Sequence, residues 1–378
     1  MDTAEIGGGS EFNPRSILPT TFKYVDLESV VGTSLIFHRT ENADTAPSRA
    51  QRLAQKGDVF YQTVRPYQMN NYLFDLPFDN FVFSTGYAQL RPSGDSYFLL
   101  SRLQEKKFVA DVLDKSTGTS YPAINSSDLA KIEIGIAPNI HEQSKVGSFF
   151  RTLDELLAAT QRKVAGLKQL KTAYLQQMFV QAGEKAPRLR FEGFNDDWED
   201  RKLDEVSTVE MCRRIFKEET SSTGEVPFYK IGTFGGKPDA YISQSIFDEY
   251  KAKYPYPEIG DILISASGTI GRTVIYQGEQ AYFQDSNIVW LNTNKEQLVN
   301  IFLHQFYHIA KWSGIEGTTI KRLYNSNILD TNIALPAIQK QTAIGNFFRN
   351  FDMQINTQSE KLEKLKQLKS AYLQKMFI

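Results

Sequence analysis

Three groups of residues in this chain have types and spacings suited to chemistry. Pro238-Asp239 is followed ten residues later by Glu249-Tyr250-Lys251. Formally this fits the carboxylate–carboxylate–lysine set with which metal-dependent nucleases hold Mg²⁺ and activate water. Such a site needs its acidic pair on adjacent strands facing one metal. Glu249 and Lys251 instead fall in a stretch patterned as a solvated helix, so a surface helix is the better reading of Asp239, Glu249 and Lys251. His304 and His308 stand four apart in "HQFYH", but the Glu that follows the first His of a zincin is absent. Packing on an amphipathic helix accounts for them. "GTFGGKP" (232–238) has the wrong spacing for a phosphate-cradling loop and places Pro where Ser or Thr is required. No Asn-Pro-Pro-Tyr or Asp-Pro-Pro-Tyr element of an amino-methyltransferase is present. The expectation is a chain with no catalytic residue, metal or cofactor of its own.

The whole-chain numbers frame that expectation. A chain of 378 residues exceeds one ordinary core and suggests two domains. With 43 basic and 44 acidic residues, bulk charge neither predicts nor excludes a polyanionic partner, and positive charge for one would have to be gathered locally. The single cysteine, Cys212, excludes an internal disulfide and fits a reducing compartment. No apolar run is long enough to span a bilayer and no basic-plus-apolar leader is seen, which points to a soluble, cytoplasmic protein without a membrane partner.

The strongest internal signal is a repeat. "LKQLKTAYLQQMF" (167–179) returns as "LKQLKSAYLQKMF" (365–377), identical at eleven of thirteen positions. At the same offset of 198 the match extends over Gln143–Phe179 and Gln341–Phe377 and pairs Phe149 with Phe347, Phe150 with Phe348, and Asp154 with Asp352. Both copies lack Pro beyond Pro138 and Pro336 and carry apolar residues seven apart, with the pattern broken at Thr160 and Gln358. That spacing predicts two long amphipathic helices with a coiled-coil-like seam. A helix of this length is roughly 55 Å long. Antiparallel pairing would put two globular units at opposite ends of a rod.

Those units share landmarks in the same order. "KGDVFYQTVRPYQMNNYLF" (56–74) stands where the second half has "IGDILISASGTIGRTVIY" (259–276), each opening with Gly-Asp and an alternating apolar strand. "STGTSYPAIN" (116–125) answers "EGTTIKRLYN" (316–325). Helices are expected near 244–252 and 297–311. The fold class is α+β: two mixed α/β domains separated by two long helices pairing as an antiparallel coiled coil. The expected order is a first domain at 1–141, a helix at 142–179, a linker at 180–190, a second domain at 191–340 and a helix at 341–378.

These features resemble the DNA-specificity subunit of type I restriction-modification systems, in which two variable target-recognition domains are each followed by a conserved long helix. The resemblance rests on "APNIHEQSKVGSFFRTLDELL…LKQLKTAYLQQMF", "LPAIQKQTAIGNFFRNFDMQI…LKQLKSAYLQKMF", "RLRFEGFNDDWEDRKL" (188–203) and the two Gly-Asp strand-turn elements. It covers nearly the whole chain. It implies sequence-specific binding of double-stranded DNA and assembly with two adenine-N6 modification subunits, which bind S-adenosylmethionine. It also implies ATP- and Mg-dependent motor-nuclease subunits. The domains would read a bipartite, asymmetric site. One departure stands out: "MDTAEIGGGSEF" lines up with "DEVSTVEMC", as though the counterpart of 188–203, about one strand, were missing. "GGGSEF" has the look of a cloning linker, but as a Gly-rich entry into "FKYVDLESV" it also reads as native.

Under that resemblance, base edges call for Arg, Asn, Gln, Ser or Thr on protruding loops. The candidates are Arg65, Gln68, Asn70, Asn71, Thr119 and Tyr121 in the first domain. In the second they are Ser267, Thr269, Arg272, Lys321, Arg322 and Tyr324. The repeated helix ends, with Tyr174, Met178 and Phe179 in one and Tyr372, Met376 and Phe377 in the other, are expected to offer equivalent docking surfaces to two copies of one partner. A coiled-coil scaffold that binds only proteins is the competing expectation.

Overall fold

The computed structural model describes residues 2–181, 183–312 and 322–377. The chain forms two compact units, Met1–Lys163 with Gln358–Ile378, and Val164–Thr357. The division falls inside the long helices Ile140–Met178 and Ile338–Lys375, close to the breaks in the apolar pattern at Thr160 and Gln358. Each helix begins just past its proline, and Asn139 starts the first by accepting the His141 N–H at 2.8 Å.

In the first unit one sheet runs Ser10–Phe12, Tyr87–Pro92, Val59–Gln62, Tyr72–Leu73, all antiparallel. A second runs Arg39–Asn42, Thr21–Val25, Phe81–Ser84, Ala50–Leu53, and its middle pair is parallel. Val59–Gln62 and Phe81–Ser84 are buried at every position, so they read as continuous apolar runs rather than alternating ones. Phe60 and Phe83 stack across them with centroids 3.7 Å apart.

The second unit repeats this scaffold. Ser207–Glu210, Ile288–Thr293, Ile262–Ser265 and Thr273–Ile275 form the antiparallel sheet. Val226–Tyr229 and Tyr282–Phe283 supply the parallel pair, edged by Tyr241–Ile242. The Gly-Asp turns are equivalent in detail. Gly57 and Gly260 have φ of +97° and +95°, where a side chain would be strained. Asp58 accepts the Gln55 N–H and Asp261 the Glu258 N–H, both at 2.8 Å. The helices expected near 244–252 and 297–311 are Gln244–Lys253 and the shorter Asn300–Tyr307.

The strand expected to be missing is present. Asp2–Glu5 pairs antiparallel with Glu133–Ile136, as Glu199–Lys202 pairs with Asn332–Leu335. Ile6 follows the first strand into the core as Leu203 follows the second. "DTAE" therefore corresponds to "EDRK", and "GGGSEF" is part of the fold. Ile6–Gly8 forms a 3-10 turn in which a Cβ on Gly7 would meet the Ala130 carbonyl oxygen at 3.1 Å, and Ser10–Phe12 is a sheet strand.

Within each unit the two helical segments run antiparallel and seat the same residues. In the first, Phe377 stacks on Phe150 at 5.6 Å and meets Phe98 edge-on at 5.5 Å. In the second, Phe179 stands 6.2 Å from Phe348 and stacks on Phe302 at 5.0 Å. Burying one such ring contributes about 1.5–3 kcal/mol.

Candidate nucleic-acid interface

In both units the loop after the Gly-Asp strand is bridged to a segment distant in sequence. The loop after Val59–Gln62 is joined to the 117–123 loop by a bridge between Val64 and Ala123. The Arg65 N–H donates to the Pro122 carbonyl and the Ile124 N–H to the Thr63 carbonyl. In the second unit the loop after Ile262–Ser265 is joined by a bridge between Ser267 and Arg322, and the Leu323 N–H donates to the Ala266 carbonyl. The backbone frame is the same. The side chains on it are not.

In the first unit this frame brings Arg65 and Tyr121 together, with the guanidinium 4.4 Å above the ring. Tyr121 and Thr119 are exposed, as are Gln68 and Tyr67. Arg65 and Met69 hold left-handed backbone (φ 55° each), a conformation that costs non-glycine residues about 1–3 kcal/mol and concentrates at functional sites. Gln68 Oε1 accepts from Gln62 Nε2 at 2.8 Å. Asn70 is turned back on the scaffold, accepting the Gly32 N–H at 2.8 Å. Asn71 is 1% exposed and accepts the Gln62 N–H at 2.9 Å, so it shapes the loop from inside and does not face outward. Gln62 Oε1, Arg65 Nε and Asn71 Nδ2 are buried without a partner at the base of this loop.

In the second unit Thr269 and Arg272 are exposed, and Arg272 reaches the Gly235 carbonyl at 3.3 Å. This brings the 232–238 loop, with exposed Lys237, beside the candidates, although its sequence shows only a glycine-rich run of the wrong spacing to cradle phosphate. Tyr324 is exposed, and the Arg322 guanidinium lies 5.6 Å from its ring. Ser267 is 7% exposed and donates to Asn287 Oδ1 at 2.8 Å, an internal bond that takes it off the surface. Ser286, beside Asn287, is another non-glycine residue at positive φ. Lys321 lies outside the described residues.

Burial corrects the docking expectation for the helix ends. Met178, Phe179 and Phe377 are 2%, 2% and 6% exposed and lie in the cores of their own units. The repeated ends are alike because each fills the same pocket. Tyr174 packs on Phe347 at 5.3 Å and Tyr372 on Phe149 at 4.9 Å; Tyr372 and Met376 keep partial exposure.

The nuclease-like residues do not converge. Asp239 pairs with Lys230 at 2.8 Å, Glu249 pairs with Lys253 at 2.9 Å, and Lys251 lies over the Tyr256 ring at 4.8 Å. Glu249 and Lys251 are two apart on one helix and so point to different faces. His304 and His308 share a helix face with ring centroids 5.1 Å apart. Among the described residues no helix is long and apolar enough to cross a membrane.

Comparison with known proteins gives the geometry its context. Residues 195–367 match the type I restriction modification DNA specificity domain. A Haemophilus influenzae protein bearing the name of a type I restriction enzyme specificity subunit is 54% identical over 161 residues, covering 43% of this chain and 42% of the relative. A Methanocaldococcus jannaschii protein bearing the name of the MjaX specificity subunit is 26% identical over 206 residues, covering 48% and 46%. In both alignments the chain spans less than half of the relative's length. The solved type I restriction-modification S subunit of M. genitalium covers 100% of this chain and 96% of its own at a TM-score of 0.65 and 15% identity, a likeness of fold. Residues 195–367 are thus similar to the type I restriction modification DNA specificity domain, and the chain shares its fold with a solved S subunit.

Proposed function

We propose that the chain is the non-catalytic DNA-reading subunit of a type I restriction-modification complex. Each unit reads one half of a bipartite, asymmetric site on double-stranded DNA. The observation that carries this reading is the pair of bridged loops: one backbone frame in both units, bearing Arg65, Gln68, Thr119 and Tyr121 in the first and Thr269, Arg272, Arg322 and Tyr324 in the second. A constant scaffold with divergent protruding side chains is how a binding module changes its ligand and keeps its fold. Lys321 stays in the proposal on sequence grounds. Asn70, Asn71 and Ser267 support the loops that carry the readers. Adenine-N6 methylation with S-adenosylmethionine, and cleavage with ATP and Mg²⁺, belong to two modification subunits and to motor-nuclease subunits that the chain recruits. The partly exposed Tyr174, Tyr372 and Met376 are the helix-end residues left to meet them.

Co-expression with a type I modification subunit that assembles with the chain, in a methylation-free host, followed by genome-wide mapping of N6-methyladenine, tests this directly. A split, asymmetric motif is expected. An assembled complex that methylates no site, or a single continuous one, would sink the proposal.

A further inference from the structure

We propose that His304, His308 and Asp352 form a binding site for a divalent transition-metal ion of the Zn²⁺ class, with the Gln305 amide oxygen as a further donor. This does not depend on DNA reading. Asn300–Tyr307 is a helix ending at His308, so the imidazoles at i and i+4 fall on one face. The carboxylate comes from a different element, the helix Ile338–Lys375. One ligand atom from each residue lies within 4.8 Å of the others, and no other such trio occurs among the described residues.

Around a tetrahedral ion at about 2.0–2.1 Å, donor atoms stand about 3.3 Å apart, so the trio must close by about 1.5 Å. Rotation of the exposed His308 side chain and of Asp352 supplies that movement, and His308 gives the ion its way in.

Donor hydrogens now hold these lone pairs together. Gln305 Nε2 lies 3.1 Å from His304 Nδ1 and 3.2 Å from Asp352 Oδ2, while Lys171 Nζ lies 2.6 Å from Asp352 Oδ1. Acceptors aimed at one donor position are also aimed at a cation placed there. Gln305 is 1% exposed, and its Oε1 is buried with no partner. Turning the amide over puts that oxygen beside His304 Nδ1 and Asp352, which is repulsive without a cation and favourable with one. His304 Nε2 lies 3.4 Å from Thr273 Oγ1, a hydroxyl able to accept an Nε2 proton and so leave Nδ1 free to ligate.

Two imidazoles with one carboxylate suit Zn²⁺, Co²⁺, Ni²⁺ or Cu²⁺ and disfavour Mg²⁺ and Ca²⁺. Lys171 opposes the ion, so occupancy and the Lys171–Asp352 bridge are coupled. At the equivalent place in the first unit Asp154 receives the Tyr97 hydroxyl at 2.9 Å and Lys369, with no histidine in either role.

The test is titration of the untagged, full-length chain with Zn²⁺ by calorimetry and with Co²⁺ by visible absorption. One equivalent should bind, with the d–d bands of a low-coordinate site, and Mg²⁺ should not compete. The exposed His308→Ala should weaken binding roughly tenfold or more with an unchanged melt, and Lys171→Met should strengthen it. Absence of the bands in the native chain would overturn the proposal. So would undiminished affinity in both His308→Ala and Asp352→Asn, or displacement by Mg²⁺.

Discussion

Lys171 Nζ lies 2.6 Å from Asp352 Oδ1, and 198 residues away in each sequence position Lys369 Nζ lies 2.5 Å from Asp154 Oδ1. The two ion pairs join the end of one long helix to the start of the other, one within each unit. Lys171 is 8% exposed, so its ammonium depends on its carboxylate partner. Removing one partner of a buried pair leaves an uncompensated charge and costs about 3–5 kcal/mol, whereas replacing both is nearly neutral. Asp352 keeps part of its solvent exposure. Asp352→Asn should therefore destabilise the second unit by about 2–4 kcal/mol, and Lys171→Met, which strands the better-solvated carboxylate, by less. Urea unfolding of the single variants and the double variant checks this; equal costs for both singles would contradict the burial argument.

The helix ends give a sharper test of what the repeat is for. Phe179 and Phe377 are core residues, so Phe179→Ala and Phe377→Ala should each cost about 3–5 kcal/mol. Tyr372→Ala, at a residue 36% exposed, should cost far less in the isolated chain. If Phe377→Ala melted like the native chain but failed to bind a partner subunit, the ring would be a docking residue after all.

The parts legible in the sequence were those carried by side-chain pattern. The long helices announce themselves by apolar residues seven apart and by the absence of Pro, and the Gly-Asp strands by that dipeptide and the apolar residues after it, though their burial at every position differs from the alternation expected. The register of the first edge strand is illegible in the sequence for a physical reason. "DTAE" and "EDRK" hold their places through backbone hydrogen bonds, and Glu199–Lys202 is exposed at all four positions, so side-chain identity carries no signal there. Only the Ile6–Leu203 correspondence marks the register. Periodicity also shows that Phe179 and Phe377 face something apolar without saying whether it is their own unit or another protein. Asn71 and Ser267 look like readers by residue type, yet both are consumed by internal hydrogen bonds that only the loop conformation reveals.

Cys212 offers a probe of the second unit. It is 2% exposed, packed in the cluster around Val226, Phe228 and Trp290, and burial pushes its thiol up to about 12. At pH 8 the thiolate fraction is then about one in ten thousand. The native chain should be inert to thiol reagents and release one reactive thiol on unfolding. Rapid labelling of folded protein would show that this core is open.

The loops proposed to read DNA allow specificity to be separated from stability. Arg65 stands in the bridged loops with its guanidinium over Tyr121, and Arg272 stands in the turn after the corresponding strand of the second unit. Losing a base-reading arginine costs about 1–3 kcal/mol and relaxes one position of the site. Arg65→Ala should therefore degrade one half-site and leave the other intact, and Arg272→Ala should do the converse. Asn71→Ala instead removes a buried acceptor and should cost about 1–3 kcal/mol of stability, with any loss of affinity spread over the whole first half-site. Competition binding of the assembled complex against a library randomised in both half-sites distinguishes the three. Uniform weakening by Arg65→Ala across all sequences would reassign it to a phosphate contact, and no change in affinity or preference would remove it from the reading surface.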